Sequence, residues 1–194
     1  VYKRQDQELA DAIRIGKGHE GENLFIMPRY ANLADKDVMD LIAYLRSQDP
    51  IENAVPDREL NFEVPEFTPQ QPAPAEAPTD PAARGQYLAS LVRCGRCHMP
   101  TNEDGSPNME LFLAGAPFRD TVAPNLTPDE ATGLGSWSEE EIAEFLKTGI
   151  YSDGTESHAG MKSQVDRGLA KLTDEDRLAI AAFLKSLPAI ENLP

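Results

Sequence analysis

Cys94-Gly95-Arg96-Cys97-His98 sets two thiols and an imidazole within five residues. Two thiols spaced this way lie on successive parts of one helical turn, where they can reach the two vinyl groups along one edge of a haem while the adjacent imidazole points under the iron. Two thioethers and one axial nitrogen then come from five residues. A thiol–disulfide exchange pair shares the Cys-x-x-Cys spacing, but it opens a helix that follows a strand, and no strand pattern precedes Cys94. A structural zinc module needs four ligands, and the chain has no further cysteine and only His19 and His158 besides His98. A helix before the motif, a methionine well after it and a closing amphipathic helix favour haem.

Working outward, Asp80 can cap a helix whose first position is Pro81, running through Gly85, Tyr87, Leu88, Leu91 and Val92 up to the cysteines. A second helix is predicted from Ser138, with Glu141 three residues on as a capping box; it sets Ile142, Phe145 and Leu146 on one face before Gly149 ends it. A third starts at Thr173 with acidic residues in its first turn and aligns Ile180, Phe183, Leu184 and Leu187. No segment alternates with a strand's period of two, so the expected fold class is all-α.

A sixth ligand should reach the iron from the far side of the haem, on a segment long enough to wrap around it. Met161 is predicted to lie there, in a glycine-containing loop between the second and third of these helices. His158, three residues away, is its rival, and packing as a core filler is the other use a methionine has. Met99 adjoins His98 and cannot cross the haem plane; Met109 is less suited than Met161. A thioether stabilises ferrous over ferric iron and raises the potential. Six-coordinate iron has no vacancy for substrate, so His98/Met161 ligation predicts an electron carrier with no catalytic residues.

Composition narrows the partners. The formal net charge of −15 and the absence of any run among the 18 cations exclude a phosphate-binding surface. Small molecules or proteins with basic patches remain, although charge this dispersed is also what a solvated face carries. No apolar run approaches the roughly 18–20 residues of a membrane span, so membrane association is not visible. Val1–Gln5 back-translates to a sequence resembling a transposase end used in sequencing adaptors; it is expected to be a scar on a fragment whose beginning is missing. Glu66–Asp80, with four prolines, reads as an extended spacer.

The segment before the spacer repeats the second half of the segment after it. Glu8–Ile13 aligns with Glu141–Leu146 at an offset of 133 residues, which also takes Gly16 to Gly149 and Gly21 to Gly154. Met27 falls on Met161 at an offset of 134, and Leu33, Asp37, Tyr44 and Leu45 fall on Leu172, Asp176, Phe183 and Leu184 at 139. Ordered self-similarity of this kind predicts a duplication.

Residues 81–194 resemble a class I cytochrome c domain. The resemblance is carried by Arg84–Leu88, Cys94–His98, Ala123–Asp129, Gly133–Ser138 and Ala181–Pro188. The Pro-Asn-Leu-Thr-Pro-Asp and Gly-x-Gly-x-Trp-Ser stretches are similar to those of di- and tri-haem cytochrome c subunits serving periplasmic alcohol, gluconate and related dehydrogenases. The resemblance implies Met161 as the axial ligand, first and last helices crossing at Gly85 close to Phe183 or Leu184, and Trp137 packed beside the haem or bonded to a propionate; a plain core aromatic is the other reading of Trp137. Residues 1–56 look like the C-terminal half of a second domain, joined by a linker over 57–80 to the complete monohaem domain 81–194. Phe25–Tyr30 is similar to a distal-ligand loop, and Met27 would ligate a second haem iron only if the missing half, with its own attachment motif, is present. The implied cofactor is haem c, one in this chain and a second in the intact protein. The implied setting is periplasmic, possibly membrane-associated in the intact protein, with electrons passing from a dehydrogenase to quinone or a terminal oxidase. The rival from another class is a dihaem peroxidase with an open haem site.

Overall fold

The computed structural model describes residues 5–53, 62–64 and 73–194. Residues 1–4, 54–61 and 65–72 lie outside the described residues, and with them most of the Val1–Gln5 scar and the first part, 66–72, of the spacer. The chain divides into two compact units, Val1–Ala77 and Pro78–Pro194, and both are mostly helical.

The first unit holds α1 (Asp6–Ile15) and α2 (Asp35–Ser47). Glu8 closes the start of α1 by accepting from the Gln5 N–H at 2.8 Å. Gly16 ends the helix in the left-handed conformation, at φ 70°. The chain then doubles back through a Lys17–Asn23 bridge. Leu9, Ala12, Leu33, Val38 and Ile42 form the buried core, and Arg14 reaches Asp35 at 2.7 Å.

In the second unit α3 (Pro81–Leu91) precedes α4 (Gly95–His98), and α5 (Glu139–Thr148), α6 (Ala159–Arg167) and α7 (Asp174–Ser186) follow. Asp80 accepts from the Ala83 N–H at 3.0 Å, as its capping role requires. The core joins Tyr87 and Leu88 of α3, Ile142 and Leu146 of α5, and Ile180, Phe183 and Leu184 of α7. The crossing of α3 and α7 depends on Gly85: a Cβ there would stand 1.8 Å from the Ala179 carbonyl oxygen and 2.7 Å from Phe183 Cβ. The helices therefore meet where the sequence predicts, with the Ala179 backbone closer than either expected side chain.

The all-α expectation needs one amendment, a small antiparallel hairpin of β1 (Ala116–Phe118) and β2 (Thr121–Ala123). Three residues per strand are too few to display an alternating pattern. Its two-residue turn begins at Arg119 with φ 57°, where a glycine or asparagine would have advertised it. A second difference is α6, which occupies what reads as loop. His158 caps it, its Nδ1 accepting from the Gly160 N–H at 3.2 Å, and the early glycine hides the start of the helix.

The local geometry of α1 to α2 recurs from α5 to α7. Ser138 N–H donates to Glu141 at 2.8 Å, as Gln5 does to Glu8. Gly149 and Gly154 have φ 68° and 85°, against 70° and 88° at Gly16 and Gly21. The bridge Ile150–Glu156 matches Lys17–Asn23. The Gly149 carbonyl accepts from Ser157 as the Gly16 carbonyl accepts from Leu24. Lys147 approaches Asp174 at 3.8 Å where Arg14 meets Asp35.

Candidate haem-attachment site

α3 stops at Leu91, and Arg93, at φ 63°, redirects the chain into the single turn of α4. That turn is tied by Cys94 N–H to Ala89 O at 3.1 Å, and by Cys97 and His98 N–H groups to Cys94 O at 3.2 and 3.1 Å. Both cysteines are free and half-buried, and His98 is buried. Burial pushes the Cys94 thiol up to about 11 and raises Cys97 against the pull of Arg96 and Arg119. A thiol-exchange pair needs a lowered pKa, so these thiols are poorly suited to redox exchange on their own.

His98 Nδ1 lies 2.8 Å from the Pro124 carbonyl oxygen. A carbonyl only accepts, so Nδ1 carries the proton and Nε2 is left with its lone pair, the arrangement a metal-binding histidine needs. Burial lowers the His98 pKa, while the bond to Pro124 opposes that shift. Among the described residues no group of three or more His, Cys, Asp and Glu is placed to hold a metal ion, so the zinc reading finds no additional ligands. Two adjacent free thiols and a neutral, oriented imidazole fit covalent haem.

The structure brings Cys94, Cys97 and His98 into one turn and sets the other predicted residues elsewhere. Met161 is half-buried in the first turn of α6. His158 is exposed, and its Nδ1 is engaged as the cap of α6. Trp137 packs edge-on against Phe145 and Tyr151, with ring centroids 5.9 and 6.1 Å away. These rings, with Ile150, line a cavity of about 300 Å³. Sequence reading singled out Trp137 but not Tyr151, whose only signal is its place two residues beyond Gly149. A larger cavity, about 490 Å³, is lined by Ser157, Lys162 and Asp166 and by none of the predicted site residues. Met27, in the first unit, lies in a turn and is 37% exposed.

The cytochrome c family profile matches residues 82–188. The chain belongs to the cytochrome c family. This cytochrome is 31% identical over 94% of its length to the fructose dehydrogenase cytochrome subunit of Gluconobacter japonicus and 33% identical over 94% to the gluconate 2-dehydrogenase cytochrome c subunit of Pantoea cypripedii. It is 34% identical over 95% of its length to a diheme cytochrome c-type protein of Cereibacter sphaeroides. The chain spans 41%, 47% and 66% of these three relatives. Membership of this family supports electron transfer through covalently bound haem c. Among the described residues no helix is long and apolar enough to cross a membrane.

Proposed function

We propose that residues 81–194 carry one haem c on Cys94 and Cys97, with His98 and Met161 as axial ligands, and that the protein relays electrons from a periplasmic dehydrogenase to quinone or a terminal oxidase. The observation that carries this reading is the α4 turn, with His98 protonated on Nδ1 by its bond to Pro124. When bound, the haem supplies a one-electron couple whose potential a His/Met ligand pair raises.

The chain's own residues do the rest. Cys94 and Cys97 fix the haem edge as thioethers, and the Pro124 carbonyl holds the His98 ring in one tautomer and increases its donor strength. Met161, near the start of α6, would supply the second ligand as a thioether. Trp137, Phe145 and Tyr151 pack on one another and would supply an apolar wall if the haem lies against them, which would favour the less charged iron state. Sugar- and alcohol-dehydrogenase cytochrome subunits among the relatives support a dehydrogenase as donor, and the acidic surface suits a basic docking face.

The first unit is the C-terminal half of a second haem domain, with Met27 as that haem's distal ligand when the other half is present. Support comes from the recurring caps, glycine turns, bridge and ion pair, and from one uncovered face. Tyr44 on α2, which corresponds to Phe183 on α7, is 60% exposed where Phe183, beside Gly85 of α3, is 5% exposed. Reduced and oxidised spectra of the chain exported with a cytochrome c maturation system test the reading. A low-spin spectrum with a Met-to-iron band is expected, and a high-spin open site would contradict it.

A further inference from the structure

The His98 ring and backbone are held by the two segments that flank the β1–β2 hairpin, which Leu126 N–H joins through Leu113 O at 2.9 Å, and one short segment after α7 ties both again. Pro124 O accepts from His98 Nδ1 at 2.8 Å, and Gly115 N–H donates to His98 O at 2.9 Å. Beyond Pro188 the chain returns across these loops. Asn125 Nδ2 donates to Ile190 O at 2.7 Å, and Ile190 N–H donates to Thr127 Oγ1 at 3.1 Å. Asn192 N–H donates to Thr132 Oγ1 at 3.1 Å, and its side-chain Nδ2 donates to Ala114 O at 2.9 Å. Asn125 Oδ1 in turn accepts from both the Thr127 N–H, at 2.9 Å, and the Thr127 hydroxyl, at 2.8 Å. Asn125 is 2% exposed and Thr127 is fully buried, and a buried polar network of this kind is rigid only while every member is satisfied.

We propose that the strap Ile190–Asn192 is a positioning device for the proximal ligand: by pinning loops 114–115 and 124–127 it fixes the Pro124 carbonyl against His98 Nδ1 and so sets the donor strength of the imidazole toward iron. The inference rests on His98 being that ligand. An imidazole that donates strongly from Nδ1 is the more basic ligand at Nε2, and outer-shell partners of this sort tune a metal site substantially. Loosening the strap weakens that bond, makes the imidazole a poorer donor and favours ferrous iron. The strap's hydrogen bonds go to Ala114, Asn125, Thr127 and Thr132, so both strap variants are expected to attach haem.

The test compares the haem-loaded parent with Asn192→Ala, with a chain ending at Pro188, and with Leu193→Ala as a control at a residue 83% exposed. Redox titration should show the ferrous/ferric equilibrium constant rising about threefold or more in Asn192→Ala and in the shortened chain, roughly half of the 59 mV that a tenfold change represents for one electron. Leu193→Ala should match the parent. Hydrogen exchange should quicken at the Gly115 and Thr127 amides in the two strap variants. Asn192→Ala keeps the proposal testable if the shortened chain does not fold. An unchanged potential in a low-spin Asn192→Ala protein would overturn the proposal and leave the haem reading standing. A parent without covalent haem would instead remove that reading, and the proposal with it.

Discussion

Replacing Gly85 with alanine tests the packing on which the haem domain is built. A Cβ at this position would stand 1.8 Å from the Ala179 carbonyl oxygen and 2.5 Å from its carbon, whereas real Cβ contacts stay at 3.0 Å or beyond. The helices must then part by about 1.2 Å, the shortfall between 1.8 and 3.0 Å, because the obstacle is backbone that cannot rotate away. A radial gap of 0.5–1 Å already forfeits about a quarter to a half of each dispersion contact, and Tyr87, Leu88, Ile180 and Phe183 are all buried in this unit. Overpacking costs about 1–3 kcal/mol and occasionally more, while alanine returns about 1 kcal/mol of helix propensity. With an immovable obstacle the upper end of that range applies, and the net loss should be about 2 kcal/mol. For a domain of this size that lowers Tm by about 10 °C. Denaturant unfolding of the haem-loaded protein, followed by far-UV circular dichroism, measures it. A Gly85→Ala protein as stable as the parent within about 0.5 kcal/mol would refute the close crossing.

Arg177 is buried on α7 and its Nη1 donates to the carbonyls of Leu169, at 3.2 Å, and Leu172. Arg177→Met should cost about 2–4 kcal/mol in denaturant unfolding because those carbonyls lose their donor. Asp174 is held below the usual carboxylate range by its hydrogen bond from Arg177 and by the charges of Lys147 and Arg177. A depressed acid stabilises the fold above its unfolded value near 3.8 and ceases to as pH falls through the lower folded value. The stability gap between the parent and Asp174→Asn should therefore be present at pH 7 and close below that window, as read from unfolding midpoints at both pH values. Met161→Ala should abolish the Met-to-iron absorption band while His158→Ala retains it; a low-spin parent without the band, turned high-spin by His158→Ala and unaffected by Met161→Ala, would reverse the ligand assignment.

The helices that build the site announce themselves through short-range chemistry. Asp80 before Pro81, Ser138 with Glu141, and Thr173 ahead of three acidic residues each satisfy orphan N–H groups locally, so the sequence states where a helix must begin. Cys94, Cys97 and His98 are equally legible because their geometry is that of a single turn. The hairpin is not, since Arg119 adopts its left-handed conformation only in the context of the surrounding fold. The start of α6 is obscured because Gly160 reads as loop while His158 acts as the cap. The Pro124 carbonyl and the Ile190–Asn192 strap are tertiary in origin: a backbone acceptor has no residue-type signature, and Asn125, Thr127 and Asn192 find their partners far away in the chain.

The denatured mass of the chain after export with a cytochrome c maturation system, followed by mapping of the peptide that holds Cys94 to His98, decides whether haem is covalently attached there. One haem-sized increment, located on that peptide and lost in a Cys94→Ser/Cys97→Ser double variant, is the predicted result. A folded protein of unmodified mass would contradict it.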